Sequence, residues 1–199
     1  MYQVCYISLV GKKEITMNKE QYKLFIANIV KDALVFLDDT PFKLNAHCKK
    51  KALEVLKVCD GEKGTSKGGT NTITIKINGW QKRNVIAGET LNQHDKFKTD
   101  KYKKDGYVYV CEYRSFSDDP KCGGMFVKNG NVDHANLITV LHEVAHFAQH
   151  NLRRLDRRKY PHMRKPHGDG FKQIYTRLRE KFCNDDVVRN DYINKWKII

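Results

Sequence analysis

Residues 138–150 read ITVLHEVAHFAQH, and two histidines four apart with a glutamate after the first constrain this stretch more than any other in the chain. On an α-helix, side chains at i and i+4 share one face about 6 Å apart along the axis, so both imidazoles reach one metal ion. Leu137, Ile138, Leu141, Val144, Ala145 and Ala148 supply the apolar positions that favour a buried helix here. In a catalytic zinc site the ion brings the pKa of a bound water to roughly 7, and a neighbouring carboxylate takes its proton as the water attacks a carbonyl. The spacing therefore nominates His142 and His146 as ligands of Zn2+ and Glu143 as general base. With eight His and eight Glu among 199 residues, chance supplies this pattern about once in a hundred shuffled chains, so it needs a third ligand as context.

Three protein ligands and a water make a catalytic zinc site. His150 continues the helical face, but three imidazoles stacked along one straight helix do not converge on a tetrahedral ion. The metzincin pattern HExxHxxGxxH fails, because Gln149 holds its glycine position and Leu152 its histidine position. Downstream, PHGDGFKQIYTRLREKF places His167 before a helix over residues 168–182 that bears Phe171, Ile174, Tyr175, Leu178 and Phe182. His167 at the start of a helix packed on the first is the favoured third ligand, with His162 and Glu180 as alternatives.

The pair His142-Glu143-Val144-Ala145-His146 and His167-Gly168-Asp169-Gly170-Phe171 resembles the SprT-like (Spartan-type) zinc metalloproteases. In that family an HExxH helix is followed by a His-Gly-x-x-Phe-like segment supplying the third ligand. Cys122-Gly123-Gly124-Met125 and the run from Leu137 to Leu141 also look similar, so the likeness spans about residues 122–183. It implies an α+β zincin-like domain with a small β-sheet, an HExxH active-site helix and a following helix that supplies the third ligand. It makes His142, His146 and His167 the zinc ligands and Glu143 the base, in a peptidase acting on proteins associated with nucleic acid, including protein crosslinked to DNA. Gly170 departs from the family, which often has an acidic residue there, and the family's carboxyl-terminal zinc ribbon is missing. Residues 1–121 carry no part of the likeness. By the same likeness, a strand over residues 124–128 offers an edge to an extended peptide substrate, the equal alternative being an ordinary core strand. Tyr160, His162, Arg164 and Tyr175 are candidates for polarising its carbonyl.

The formal net charge of +14, from 37 Lys+Arg against 23 Asp+Glu, points to a polyanionic partner or to strong colloidal repulsion and excludes an acidic disordered chain. The 27 Lys are dispersed, whereas seven of the ten Arg fall between Arg153 and Arg179. Arg153, Arg154, Arg157, Arg158, Lys159, Arg164 and Lys165 all lie between the second and third proposed ligands, opposed by Asp156 alone. They are expected to form a phosphate-binding rim for DNA or another nucleic acid, with Tyr160 able to stack on a base. The plainer alternative is a solvated helix end whose cations suit the helix dipole. Lys96, Lys98, Lys101, Lys103 and Lys104 alternate with Asp95, Asp100 and Asp105 and read as hydrated surface; Lys49, Lys50 and Lys51 read as the outer face of a helix.

The remaining chain is expected to complete a single domain over residues 1–199. Strands are expected over residues 2–10, 71–78, 107–116 and 124–128, and helices over 18–38, 44–59, 133–154 and 187–196, with turn-rich loops at 61–70 and 80–105. The amino terminus lacks the basic lead-in and cleavage site of a secretory signal, and no window reaches the ~18 apolar residues of a membrane span. Six cysteines without a CxxC pair read as reduced thiols. A cytoplasmic protein is expected, in the host cytoplasm if it is phage-encoded. Two rivals share these features: a basic nucleic-acid-binding protein with a structural or vestigial zinc site, and a virion or assembly component keeping the fold as scaffold.

Overall fold

The apolar stripe Phe25, Ile26, Ile29, Val30, Ala33 and Leu34 recurs at helical spacing, and it is the buried face of α1 (Lys19–Phe36). The computed structural model describes residues 19–59, 66–76, 107–111, 124–128 and 132–197. A 3-10 turn, Leu37–Asp39, ends α1 and leads to α2 (Ala46–Glu54), whose first turn is capped by Asn45 Oδ1 accepting from the Cys48 N–H at 2.8 Å.

The single helix expected over residues 44–59 divides here: Leu56–Cys59 is strand β1, parallel to β3 (Thr72–Lys76) with Leu56 opposite Ile73. Cross-strand pairing with a distant segment overrides the local helical pattern, and Leu53 is exposed. The loop expected at 61–70 holds a further strand, β2 (Lys67–Gly69), antiparallel to β3 with Gly68 opposite Ile73. The sheet order is β1-β3-β2, so β2 is an edge, and Ile73 and Ile75 turn into the core. Strands β4 (Tyr107–Cys111) and β5 (Gly124–Lys128) form an antiparallel pair, Tyr107 opposite Lys128. The strand expected at 2–10 and the loop at 80–105 lie outside the described residues, as does the end of the strand expected to reach residue 116.

Helix α3 (Val132–Leu155) is the axis of the fold, packed by α1, β2, β3 and α4 (Asp169–Cys183). From Leu137 to Gln149 every residue but Thr139 is buried, as befits a helix enclosed on all sides. Helix α5 (Asp186–Lys197) closes the fold. Side-chain bonds pin the helices together: Tyr22 to Asp133, Tyr192 Oη to Asp32 at 3.0 Å, and His134 to Asn190 at 2.8 Å. The architecture is α+β and mostly helical. No described helix is long and apolar enough to cross a membrane, and Cys48, Cys59 and Cys183 are free thiols.

Candidate metal centre

Helical spacing brings His142 and His146 to one face of α3, and His167 meets them from the segment just before Gly168, the N-cap of α4. His167 Nε2 stands 3.1 Å from His142 Nε2 and 2.7 Å from His146 Nε2. Nitrogens bound at ~2.0–2.1 Å to one tetrahedral ion are about 3.3 Å apart; His167 Nε2 stands at or a little inside that distance from both helix histidines, and a ligand nitrogen of each of the three lies within 4.8 Å of the others. Among the described residues, this is the one group of three His, Cys, Asp or Glu able to hold a metal. Imidazole nitrogens are donors that divalent transition ions such as zinc, copper, iron and nickel accept.

Burial makes the cluster one-sided. His142 and His146 are 4% and 6% exposed, whereas His167 is half-buried and marks the outer side. Behind them the ring of Phe171 meets those of His142, His146 and His167 at 4.8, 4.4 and 4.7 Å, and Tyr175 packs on His142 at 5.3 Å. Both aromatics are fully buried on α4. They exclude water from the backs of the imidazoles and fix the ring planes.

Glu143, 1% exposed, follows His142 on the turn of α3 against which β2 lies. A Cβ on Gly68 would come within 2.9 Å of the Glu143 carbonyl carbon and 2.8 Å of His146 Cβ. Only glycine admits this approach of edge strand to helix. The short KGG run gave no strand signal, and Gly68 is a site-shaping residue that sequence reasoning missed.

The segment carrying His167 is held by its backbone. His167 has φ 57, in the left-handed region, and the Gly168 N–H donates to the Lys165 carbonyl at 2.9 Å. A 3-10 turn, Pro161–Arg164, buries Met163 against Gly170, where a Cβ would stand 3.1 Å from Met163 Cα. That closeness gives Gly170, the departure from the SprT-like pattern, a packing reason.

Other candidates stand apart. His150 is half-buried with its ring 6.2 Å from that of His146, and burial, with a smaller contribution from Arg153, lowers its pKa. His162 and Glu180 are exposed and outside the triad. Of the candidate carbonyl-polarising groups, Tyr175 is enclosed in the core, the Tyr160 hydroxyl donates to the Pro41 carbonyl at 3.4 Å, and Arg164 is exposed. The Tyr160 ring, expected to stack on a base, is half-buried with the Lys159 ammonium 5.4 Å from its centre.

The basic segment lies at the end of α3 and in the turns that follow. Arg154, Arg157, Arg158, Lys159, Arg164 and Lys165 are exposed and Arg153 half-buried. Asp156 closes the first turn by accepting the Arg158 and Lys159 N–H groups at 2.9 Å, which accounts for the lone acid. Lys49 pairs with Asp38 at 2.6 Å, Lys50 with Glu54 at 3.8 Å, and Lys51 bonds Asn71, so the α2 lysines have local partners. Lys96 to Lys104 lie outside the described residues. Compared with protein-family models, curated proteins and solved structures, the chain matches none.

Proposed function

We propose that this chain is a zinc-dependent metallopeptidase, SprT-like and with a zincin-like fold, acting on proteins associated with nucleic acid. The observation that carries the reading is the meeting of three imidazole Nε2 atoms from α3 and the start of α4, with Glu143 on the same turn of α3. His142, His146 and His167, each neutral, would hold Zn2+ through Nε2. A zinc ion held there would supply Lewis acidity. Glu143 would accept a proton at its carboxylate and return it to the leaving amine, so this side chain would work first as base and then as acid. Phe171 and Tyr175 keep the far side dry, which strengthens electrostatic interactions within the site. The exposed cations from Arg154 to Lys165 favour a substrate delivered on a polyanion.

The rival reading, a nucleic-acid-binding or assembly protein with a structural zinc, calls for a closed four-ligand site. Three ligands among the described residues favour catalysis instead.

The decisive comparison is wild type against Glu143→Gln on a protein substrate, with and without single-stranded DNA, alongside metal analysis. Wild type is expected to carry one zinc per chain and to cleave; Glu143→Gln keeps the zinc and loses cleavage, and His142→Ala loses both. Carefully purified wild type without zinc would sink the proposal. Equal function in wild type and Glu143→Gln would favour the non-catalytic reading.

A further inference from the structure

Gln149 is fully buried on α3, three residues after His146 and so near its face of the helix. Its carboxamide nitrogen donates to two main-chain carbonyls, Met163 at 3.2 Å and Lys165 at 2.8 Å. Both lie in the segment that delivers His167, and the Lys165 carbonyl also accepts from Gly168, the residue after the ligand. One side chain on the ligand helix thus grips the backbone just before the third ligand, and a turn carries that grip across it.

The grip coincides with a backbone that needs support. His167 at φ 57 occupies a conformation that is costly for a non-glycine residue and persists where the surroundings over-determine it. Both protons of the Gln149 amide are directed at this segment, and a buried carbonyl that loses its donor is costly. A carboxylate in the same place would set acceptor against acceptor, and an apolar chain would leave both carbonyls without this donor.

We propose that Gln149 is a positioning residue for the third metal ligand, setting through the Met163 and Lys165 carbonyls where His167 Nε2 stands relative to His142 and His146. This rests on the reading that the triad binds a metal. Gln149 touches neither metal nor substrate and acts through His167 alone.

The test is a double-mutant cycle read on metal affinity, with zinc measured by competition against a chromogenic chelator and Co2+ by its visible absorption. Gln149→Met is expected to weaken zinc about 10–100-fold, the range for losing a group that orients a ligand, and to change the Co2+ spectrum as one imidazole withdraws. In a His167→Ala background the same substitution should leave zinc affinity within about twofold, because the residue it acts through is gone. If Gln149→Met does not fold, Gln149→Glu is read in the same two backgrounds. Wild-type affinity in the single variant, or equal weakening in both backgrounds, would overturn the proposal while leaving the metal site standing. Wild type that binds neither zinc nor Co2+ would overturn the metal reading and this inference together.

Discussion

The rings of Phe171 and His146 stand 4.4 Å apart with their planes 31° from parallel. The same phenyl ring lies within 5 Å of the other two imidazoles, so a single side chain of α4 orders ligands from two separate parts of the chain. It has no polar atom to compete for the ligand nitrogens, and its contribution is shape and dryness. Core packing and site geometry meet in this residue.

Phe171→Ala is therefore expected to destabilise the protein by about 3–5 kcal/mol, the range for emptying a buried phenylalanine site. It should also weaken zinc, because the three rings lose their common wall. Phe171→Leu, which retains most of the volume, should cost clearly less. Urea melts of both variants with zinc and with chelator measure the two effects, and a loss under about 1 kcal/mol for the alanine variant would contradict this packing role.

The parts of this site that were legible in the sequence are those whose chemistry repeats at a helical spacing. His142, Glu143 and His146 announce themselves because the four-residue interval and the ligand types coincide. His167 lacks that local signal, and it emerges from eliminating His150 together with the resemblance to a known motif pair. Strand β1 was hidden inside an apparent helix because its partner, Thr72–Lys76, is remote in sequence. Strand β2 was hidden because Lys-Gly-Gly has poor strand propensity and is chosen by its fit against α3. Gln149 entered the sequence reading only as the residue at the metzincin glycine position, because its partners are main-chain carbonyls 14 and 16 residues away, which have no sequence signature.

Gly68 and Gly69 make a controlled pair. A methyl at Gly68 would press on the α3 backbone at Glu143 and on His146 Cβ, so Gly68→Ala should cost about 1–3 kcal/mol and disturb metal binding as strand and helix part. A methyl at Gly69 would meet only Thr72 Cγ2 at 3.5 Å, an ordinary approach, and Gly69→Ala should stay within about 0.5 kcal/mol. Thermal melts and zinc competition on the two variants check this; equal effects would mean that β2 does not need its close approach to α3.

Alkaline stability should report on Cys183. Burial pushes this thiol up from 9.0 to about 11, against the opposing pull of Arg179 and Arg189. The unfolded chain then releases the proton near 9 while the folded chain holds it to about 11, so stability is complete below pH 9 and falls as pH rises through that window. Two units correspond to a loss on the order of 3 kcal/mol by pH 11. Tyr22 and Tyr192 are also raised, chiefly by burial and further by Asp133 and Asp32, and they add the same trend above pH 10. Among the described residues, the interval from pH 9 to 10 belongs chiefly to this thiol, and Cys183→Ala should flatten it in chelator-treated protein. A wild-type melting temperature constant across that interval would contradict the assignment.

The basic segment makes a prediction about place. Arg153, Arg154, Arg157 and Arg158 lie within about three turns of His146 on α3 and the turn after it, and their one acidic neighbour, Asp156, is occupied in closing that turn. Replacing the four arginines together by alanine should leave the turn intact, since Asp156 accepts from main-chain N–H groups that alanine retains. Single-stranded DNA binding should weaken, and the slope of log affinity against log salt should shrink by up to about 0.7 for each phosphate that is no longer neutralised. Removing Lys96, Lys98, Lys101, Lys103 and Lys104 should do less, because three aspartates are interleaved with them. Salt titrations of the two variants decide between them. An equal change in both slopes would mean that the affinity follows net charge, and the rim beside the metal centre would lose its claim to be a nucleic-acid site.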